Sequence, residues 1–541
     1  MTTKRTFKKK LVLFPNLSKL DKDNPEHLKE LYSFFFNVEE HDYKNLSPSE
    51  LFQQLREENP AGYRILTILN KYFKRAIVEN DYFNSESADS HSKLYARSFR
   101  NYDKRCTRIH FFTDKIDMND FVKDSEGKIK DKYLGYVVIR PAKSKAPTTI
   151  GKTFIKPPDT SSDDYYLCGG IAEVNVSGVP LEVISCPFIQ QDQLVSACAT
   201  ASLWIMTQAL SMKFGGPTAT TTKLTELATA RRLQGGRPFP SAGLDLEQMS
   251  WCLLNLGYSP VVFEVGERIK KASVAKRIIY TYIESNIPVM VGVLIDGGKH
   301  AITVVGHGYK KNTKPLKILK DISYYPSSEW VPYFIIQDDQ RGPYRYFKFD
   351  FDKYNGYPAP ILMSDTPDFK KVDAGSLFAI VVPHPSESIY TIGNDAETKA
   401  VSILNLAETA FEGLVNIPKD IVLRTYLASS NEFKNNLKFR SGMNPTLIAL
   451  YKGKTMPKYI WITEFSKVAW RNDLNNRYDQ IFGEILIDPT SCRNEFDFIC
   501  IHIQGVYSEM SPSDKDPNKA LSKIAKIPSK NSYSSWTRAL K

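Results

Sequence analysis

The chain has 541 residues, with 72 lysines and arginines against 60 aspartates and glutamates, and it is 42% hydrophobic, 12% aromatic and 24% charged. These proportions are typical of a globular protein and exclude a fibrous or wholly disordered chain. At roughly 100–200 residues per domain, the length predicts two to four folded units.

Targeting signals are weak in this sequence. The N-terminus is basic, but its apolar run extends only from Leu11 to Phe14 before Pro15. A secretory signal needs roughly 7–15 apolar residues, so we expect no export by this route. No apolar run approaches the roughly 20 residues of a membrane span, so we expect none. The seven cysteines are odd in number and scattered, which favours a reducing cytoplasm over a disulfide framework.

The net charge of +12 is spread along the chain and is not accompanied by a nucleic-acid recognition motif. A basic excess of this kind is most simply a solvated surface, so we do not expect nucleic acid as a partner. The sequence has no C-x-x-C pair and no H-E-x-x-H helix. We therefore expect no zinc site and no other metal or cofactor.

The sequence patterns divide the chain into five regions. They are a mainly helical region, a β-rich region, a core, a C-terminal α/β accessory region and a basic flexible tail, at residues 1–105, 106–185, 186–385, 390–510 and 511–541. In the first region the motif SPSE predicts a capping box, in which Ser47 caps a helix and Glu50 bonds back to it. In the second, runs such as RIHFFTD and YLGYVVIRP predict strands.

Within the core, helical patterns come first and strand patterns follow. ACATASLWIMTQAL, TTKLTELATARRL and DLEQMSWCLLNLGY predict helices, and HAITVVGHGY, WVPYFIIQDD and YRYFKFDFD predict strands. This order predicts an α+β fold with an antiparallel sheet. In the accessory region AVSILNLAETAFEGL predicts a helix, and TLIALYKG, YIWITEF, IFGEILID and FDFICIHIQG predict strands.

The stretch FIQQDQLVSACATAS places Cys198 at the start of a predicted helix, at its second or third position if Ser196 is the N-cap. The free N–H groups and partial positive charge of a helix N-terminus favour a thiolate, which is the nucleophilic form of cysteine. A nearby histidine would complete a thiolate–imidazolium pair. Cys186 and Cys252 lack this context, and we expect them to be packed thiols.

Three further residues give this cysteine a chemical context. Gln191 precedes the helix, where a side-chain amide can donate to an oxyanion, although Gln190 and Gln193 compete for that role. His300 opens a strand after a Gly pair, and Asp338 ends the next strand, where a carboxylate can orient the imidazole. His307 is an alternative base, and Asp339 is an alternative carboxylate.

The blocks QQD…CATASLWIM, GLDLEQMSWCLLNLGY, IPVMVGV…GGKHAITVVGHGY and FIIQDDQRGPYRYF resemble, in this order, the papain-like fold of bacterial cysteine peptidases. The resemblance is to the kind related to the double-glycine-leader, or bacteriocin-processing, peptidases, and it covers residues 186 to 350. It implies that Cys198 is the nucleophile and His300 the general base. It also implies that Asp338 orients the histidine and that Gln191 is the oxyanion residue.

The chain departs from that family at three positions. Ala199 stands where Gly is usual, Ala201 stands at a Thr position, and Asp339 replaces a Pro. None of these changes removes a catalytic functional group.

The sequence therefore predicts a cytoplasmic cysteine peptidase that cleaves a protein or peptide through an acyl-thioester without a cofactor. The N- and C-terminal regions are predicted to recognise the substrate or a protein partner. Two alternatives stay open. One is a catalytically silent or partner-regulated scaffold on the same fold, and the other is a thiol acyltransferase that passes the acyl group to an amine.

Overall fold

The computed structural model of the protein describes most of the chain. The described residues are 17–36, 45–99, 102–123, 127–141, 150–159, 165–192, 197–231, 237–239, 241, 243–266, 269, 271–310, 313–315, 324–351, 359–473, 479–491, 498–511, 514, 516–527 and 532–535. Among these residues no helix combines the length and the apolar character needed to cross a membrane.

The N-terminal part is a five-stranded antiparallel sheet with helices. Its elements are β1 (Leu17–Asp21), α1 (Pro25–Ser33), α2 (Pro48–Glu58), α3 (Pro60–Leu69), β2 (Arg75–Tyr82), α4 (Ser85–Lys93), β3 (Cys106–Phe112), α5 (Met118–Lys123), β4 (Tyr133–Ile139) and β5 (Phe154–Ile155). The strands follow the chain order β1-β2-β3-β4-β5. The predicted capping box is confirmed, because Ser47 and Glu50 bond reciprocally at the start of α2.

The middle of the chain contains a closed six-stranded barrel. The elements of this middle part are β6 (Tyr165–Leu167), β7 (Gly170–Val176), β8 (Val179–Ser185), α6 (Cys198–Phe214), α7 (Thr221–Thr229), α8 (Leu246–Asn255), β9 (Ser259–Glu264), α9 (Ala272–Glu284), β10 (Val289–Ile295), β11 (Gly298–Gly308), β12 (Tyr324–Pro326), β13 (Phe334–Asp338), β14 (Gly342–Phe349), β15 (Ala359–Ser364) and β16 (Asp373–His384). The strand order is β10-β11-β13-β14-β15-β16, and β16 returns to pair with β10. All six pairings are antiparallel, and helix α6 packs against β11.

The C-terminal part is a second mixed unit. Its elements are α10 (Gly393–Ala410), β17 (Ile421–Ser429), α11 (Ser430–Asn436), α12 (Pro445–Gly453), β18 (Tyr459–Lys467), α13 (Val468–Arg471), β19 (Gln480–Ile481), β20 (Gly483–Ile487), β21 (Phe498–Ile503), β22 (Val506–Glu509), α14 (Pro517–Leu521), β23 (Ile524–Lys526) and β24 (Tyr533–Ser534). Seven strands form one sheet in the order β12-β17-β18-β20-β21-β22-β23. Short 3-10 helices lie at Tyr95–Arg97, Lys130–Lys132, Ser327–Trp330 and Leu437–Phe439.

Strand β12 and a buried charge network connect the barrel to the C-terminal sheet. Strand β12, which lies between barrel strands in the chain, pairs in parallel with β17 of the C-terminal sheet. Arg424 on β17 donates to Glu284 on α9 at 2.9 Å and to Glu464 on β18 at 3.0 Å. His307 on β11 bonds to the same Glu284 at 2.8 Å. The predicted boundary between residues 385 and 390 stays a prediction, but close contacts cross it.

The N-terminal helices also brace the barrel. The Arg64 guanidinium on α3 donates to the carbonyls of Pro343 at 3.1 Å, Asp365 at 2.7 Å and Tyr344. These bonds hold the hairpin formed by β13 and β14. Helix α3 therefore supports the part of the barrel that carries Asp338.

The predicted α+β class is confirmed, while the closure of the sheet into a barrel was not predicted. One local expectation was wrong: TLIALYKG forms helix α12, not a strand. The polar stretch after residue 84 forms helix α4. The segment predicted as a flexible tail contains β23 and β24, which pair with β22 and β19.

Candidate active site

The structure brings Cys198, His300 and Asp338 into one chain of contacts. Cys198 begins α6, His300 lies on β11 and Asp338 ends β13. The Cys198 thiol lies close enough to the His300 imidazole to raise the pKa of that imidazole. The imidazole Nε2 lies 3.2 Å from Asp338 Oδ1. The three residues that the sequence predicted from separate blocks are therefore neighbours.

The N-terminus of α6 carries no side-chain cap. Its N-cap is Ala197, which makes Cys198 the first residue of the helix, not the second or third as predicted, and Ser196 lies outside the described residues. The two following helices are capped by Thr220 and Asp245. Because alanine has no acceptor, the first-turn N–H groups of α6 are left without a side-chain partner from the cap. Such groups stabilise a thiolate or an oxyanion beside them.

Two buried hydrogen bonds fix α6 on the strand that carries the histidine. Ser202 Oγ donates to the Ala301 carbonyl at 3.0 Å, and Thr303 Oγ1 donates to the Ser202 carbonyl at 3.2 Å. Ser202 lies about one turn after Cys198, and Ala301 follows His300. The bonds therefore set the distance between thiol and imidazole.

Solvent access separates Cys198 from the other described cysteines. Cys198 is half-buried, whereas the other five cysteines that the structure describes are buried, and Cys492 lies outside the described residues. Burial raises the pKa of Cys252 to about 12 and that of Cys186 well above its ordinary value. These two are packed thiols, as expected, and Cys198 has the access that a nucleophile needs.

His300 is held in its charged form by its neighbours. Burial alone would lower its pKa, but the hydrogen bonds to Asp338 and Cys198 and the charges of Asp338 and Asp339 raise the pKa to about 11. On the other ring nitrogen, the Gln340 side-chain amide lies 3.4 Å from Nδ1. The site therefore favours an imidazolium beside the thiol at neutral pH.

Asp338 is a fully partnered buried carboxylate. Besides His300, it accepts a bond from the Arg345 guanidinium at 2.8 Å and from the backbone N–H groups of Gln340 and Arg341 at 3.1 and 3.2 Å. Burial would raise its pKa, but the bond from His300 and the charge of Arg345 outweigh burial and hold that pKa well below its usual range. The carboxylate is thus charged and fixed in place.

Arg345 is a residue of this candidate site that the sequence analysis did not identify. It lies on β14 and also contacts Asp365 and Asp373, each at 2.7 Å. In the sequence it is an arginine within the largely apolar strand GPYRYFKF, and the structure buries it. A buried guanidinium needs carboxylate partners, and the neighbouring turn supplies one.

Asp339 also faces the imidazole, with its Oδ1 3.7 Å from His300 Nε2. Its side chain is buried, and neither oxygen makes a hydrogen bond of normal geometry among the described residues. Burial raises its pKa to about 7, although the charge of His300 and the nearby backbone N–H groups of Asp339 and Gln191 oppose the rise. Asp338 is the closer partner and has more hydrogen bonds, and Asp339 is a second carboxylate beside the same imidazole.

The candidate glutamines Gln190 and Gln191 differ in their contacts. The buried Gln190 side chain accepts from the Ile150 N–H at 3.0 Å and donates to Asn59 at 3.3 Å, so it holds neighbouring loops together. Gln193 lies outside the described residues. Gln191 is half-buried, and its backbone N–H faces Asp339, which places it at the site. Its role as an oxyanion donor stays a prediction.

His307 has a structural environment. It is buried, bonds to Glu284, stacks on the ring of Tyr166 and contacts the tilted ring of Tyr280. A histidine enclosed in this way has no path to a substrate. Of the two histidines considered, His300 is the one beside the thiol.

A solvent cavity of about 280 Å³ adjoins the Asp338 side of the site. His300, Asp338 and Gln340 line it together with the charged side chains of Lys299 and Arg341. Small polar molecules and ions can therefore reach the imidazole.

No protein-family model matches the chain, and no curated protein matches it significantly.

Proposed function

We propose that the protein is a cytoplasmic cysteine peptidase with a papain-like core, which cleaves an amide bond of a protein or peptide through an acyl-thioester. The observation that carries the proposal is the position of His300, which contacts both the Cys198 thiol and the Asp338 carboxylate. The order nucleophile, base and orienting carboxylate is the arrangement that activates a thiol.

In the proposed cycle His300 takes the proton of Cys198, and the thiolate attacks the amide carbonyl carbon. The carbonyl oxygen becomes an oxyanion, which accepts from the Cys198 N–H and from the Gln191 side chain. The C–N bond then breaks, and His300 returns its proton to the leaving amine. Water, deprotonated by His300, cleaves the thioester and releases the acid and the free thiol.

The charges around His300 suit this cycle. A pKa of about 11 keeps the imidazolium available as the proton donor to the leaving amine. Asp338 stabilises that cation and selects the ring nitrogen that faces the thiol. Arg345 keeps Asp338 ionised, and so acts through it as a positioning residue.

The flanking parts of the chain are proposed to bind the substrate or a protein partner. The N-terminal helix α3 contacts the hairpin of Asp338 through Arg64, and the C-terminal sheet contacts the barrel through Arg424. Both flanks are therefore mechanically connected to the barrel, and a bound partner on either flank can act on the site.

The proposal is tested by the rate at which iodoacetamide labels Cys198 at pH 6.5. An ordinary thiol, with a pKa of about 8.5, is about 1% ionised at this pH. Since exposure alone favours Cys198 over the buried cysteines, the reference is the same cysteine in the urea-unfolded chain. We expect the folded protein to react at least about tenfold faster, because a thiolate paired with an imidazolium is already ionised.

Two histidine variants provide the matched controls. His300→Ala is expected to abolish the excess rate, whereas His307→Ala is expected to leave it, provided that each variant retains the circular dichroism spectrum of the wild type. A folded-state rate equal to or below that of the unfolded chain would contradict an activated thiol. Equal effects of the two substitutions would contradict the assignment of His300.

A further inference from the structure

The turn after β13 contains a buried carboxylate with unused ligand capacity. Asp339 is 1% exposed, and neither of its oxygens has a hydrogen bond of normal geometry among the described residues. The adjacent Asp338 has bonds from a histidine, an arginine and two backbone N–H groups. Burying a carboxylate that has no hydrogen bond of normal geometry is costly, and a ligand bound to its oxygens offsets that cost.

The Asp339 carboxylate lies near the His300 imidazole and a second carboxylate, that of Asp338. His300 Nε2 lies 3.2 Å from Asp338 Oδ1 and 3.7 Å from Asp339 Oδ1. The ligand atoms of the three residues lie within 4.8 Å of one another, and no other such group of three occurs in the described part of the chain. Two ligand atoms at about 2.0–2.2 Å from a tetrahedral ion lie about 3.3–3.6 Å apart. The two separations from the imidazole nitrogen, 3.2 and 3.7 Å, lie on either side of that range.

We propose that His300, Asp338 and Asp339 form a binding site for a divalent transition metal ion, with Zn²⁺ as the best fit. One imidazole nitrogen and two carboxylate oxygens are ligands that zinc accepts, whereas calcium and magnesium prefer oxygen alone. The cavity beside His300 and Asp338 provides an entry path from solvent.

Metal binding and the proposed peptidase cycle both use the His300 imidazole. An ion on Nε2 takes the place of the hydrogen bond to Asp338, and it prevents His300 from carrying a proton between the thiol and the leaving amine. We infer that the ion switches the thiol chemistry off. This consequence rests on the proposed function, whereas the metal site itself does not.

The test is a titration of the full chain with Zn²⁺ in competition with a chromogenic chelator. Wild type is expected to bind one equivalent, and Asp339→Asn is expected to weaken binding at least about tenfold, since it removes a ligand. The control is Asp365→Asn, which makes the same aspartate-to-asparagine change at a residue that contacts Arg345 but is not a proposed ligand. This variant is expected to bind Zn²⁺ with wild-type affinity. Melting curves without metal establish that each variant is folded, and His300→Ala provides a second ligand deletion.

The outcomes separate the two proposals. Binding that is unchanged in both Asp339→Asn and His300→Ala, or absent from wild type, would overturn the metal site. Binding that is lost in Cys198→Ala but kept in Asp339→Asn would overturn this ligand set as well. If the metal-free protein shows no fast labelling of Cys198 while Zn²⁺ still binds through Asp339, the peptidase proposal fails and the metal site stands.

Discussion

Substitution of Arg345 by methionine tests whether a buried ion pair holds the orienting carboxylate. The side chain contacts three carboxylates at similar distances, Asp338 at 2.8 Å and Asp365 and Asp373 at 2.7 Å. Their exposures differ: the Asp338 side chain is 2% exposed, while those of Asp365 and Asp373 are 55% and 40% exposed. Exposed pairs contribute roughly 0–1 kcal/mol, whereas breaking a buried pair costs about 3–5 kcal/mol.

We therefore expect Arg345→Met to lower the free energy of unfolding by about 3–5 kcal/mol, nearly all of it through Asp338. Asp365→Asn is expected to cost at most about 1 kcal/mol. The double variant Arg345→Met with Asp338→Asn is expected to recover much of the loss, because no uncompensated charge then remains buried. Urea denaturation followed by tryptophan fluorescence measures all four proteins.

Two results would refute this reasoning. One is a cost for Asp365→Asn as large as that for Arg345→Met, which would place the energy in the exposed contacts. The other is a double variant less stable than Arg345→Met alone, which would mean that the unpaired charge of Asp338 is not the source of the loss.

The ion pair between Asp338 and Arg345 also predicts how acid unfolding shifts when Arg345 is removed. The pKa of Asp338 lies below its ordinary value of 3.8 in the folded protein. Its contribution to stability is therefore fully present above that value and is lost as the pH falls through the lower, folded pKa. Removing Arg345 raises that pKa, so acid unfolding of Arg345→Met, followed by circular dichroism, is expected at a higher pH than in wild type.

Three further substitutions test how the site is positioned. Ser202→Ala removes one of the two bonds that join α6 to β11, so we expect a stability loss of about 1 kcal/mol and slower labelling of Cys198 at pH 6.5; an unchanged rate would mean that this bond does not set the thiol position. Gly342→Ala adds a Cβ at a φ of +114° and 2.6 Å from Arg64, so a loss of about 1–3 kcal/mol is expected in urea denaturation, and a neutral effect would contradict the close approach. Arg424→Met breaks the buried bonds between the barrel and the C-terminal sheet, and we expect limited proteolysis to release the C-terminal part much faster than in wild type; equal cleavage rates would show that the network does not join the two parts.

Much of the secondary structure was readable from the sequence because local signals agreed with it. The Ser47 capping box and the strand patterns of HAITVVGHGY and YIWITEF are examples. TLIALYKG was misread because a short apolar run fits a strand or a buried helix equally well. The deciding signals were Asn444, which caps the helix, and Pro445 at its first position. Helix α4 has no hydrophobic pattern in the sequence, because its buried face consists of polar residues such as Glu86 and Ser90.

The site was predictable in part for a different reason. Cys198, His300 and Asp338 each lie at the end or start of an element, where a chemical group stands out from its context. Arg345 and the unpartnered state of Asp339 depend on how the barrel strands pair and on what the turn buries, and these are properties of the folded chain. Closure of the barrel is likewise a long-range pairing, between β10 and β16, that no local pattern specifies.

The central claim is that Cys198 cleaves amide bonds, and the most direct measurement is a mass-spectrometric survey of new protein N-termini. Cell proteins are incubated with wild type or with Cys198→Ala, and the cleavage sites in the two samples are compared. The peptidase proposal predicts a set of new N-termini that is present with wild type and absent with Cys198→Ala. Identical sets in the two samples would contradict it.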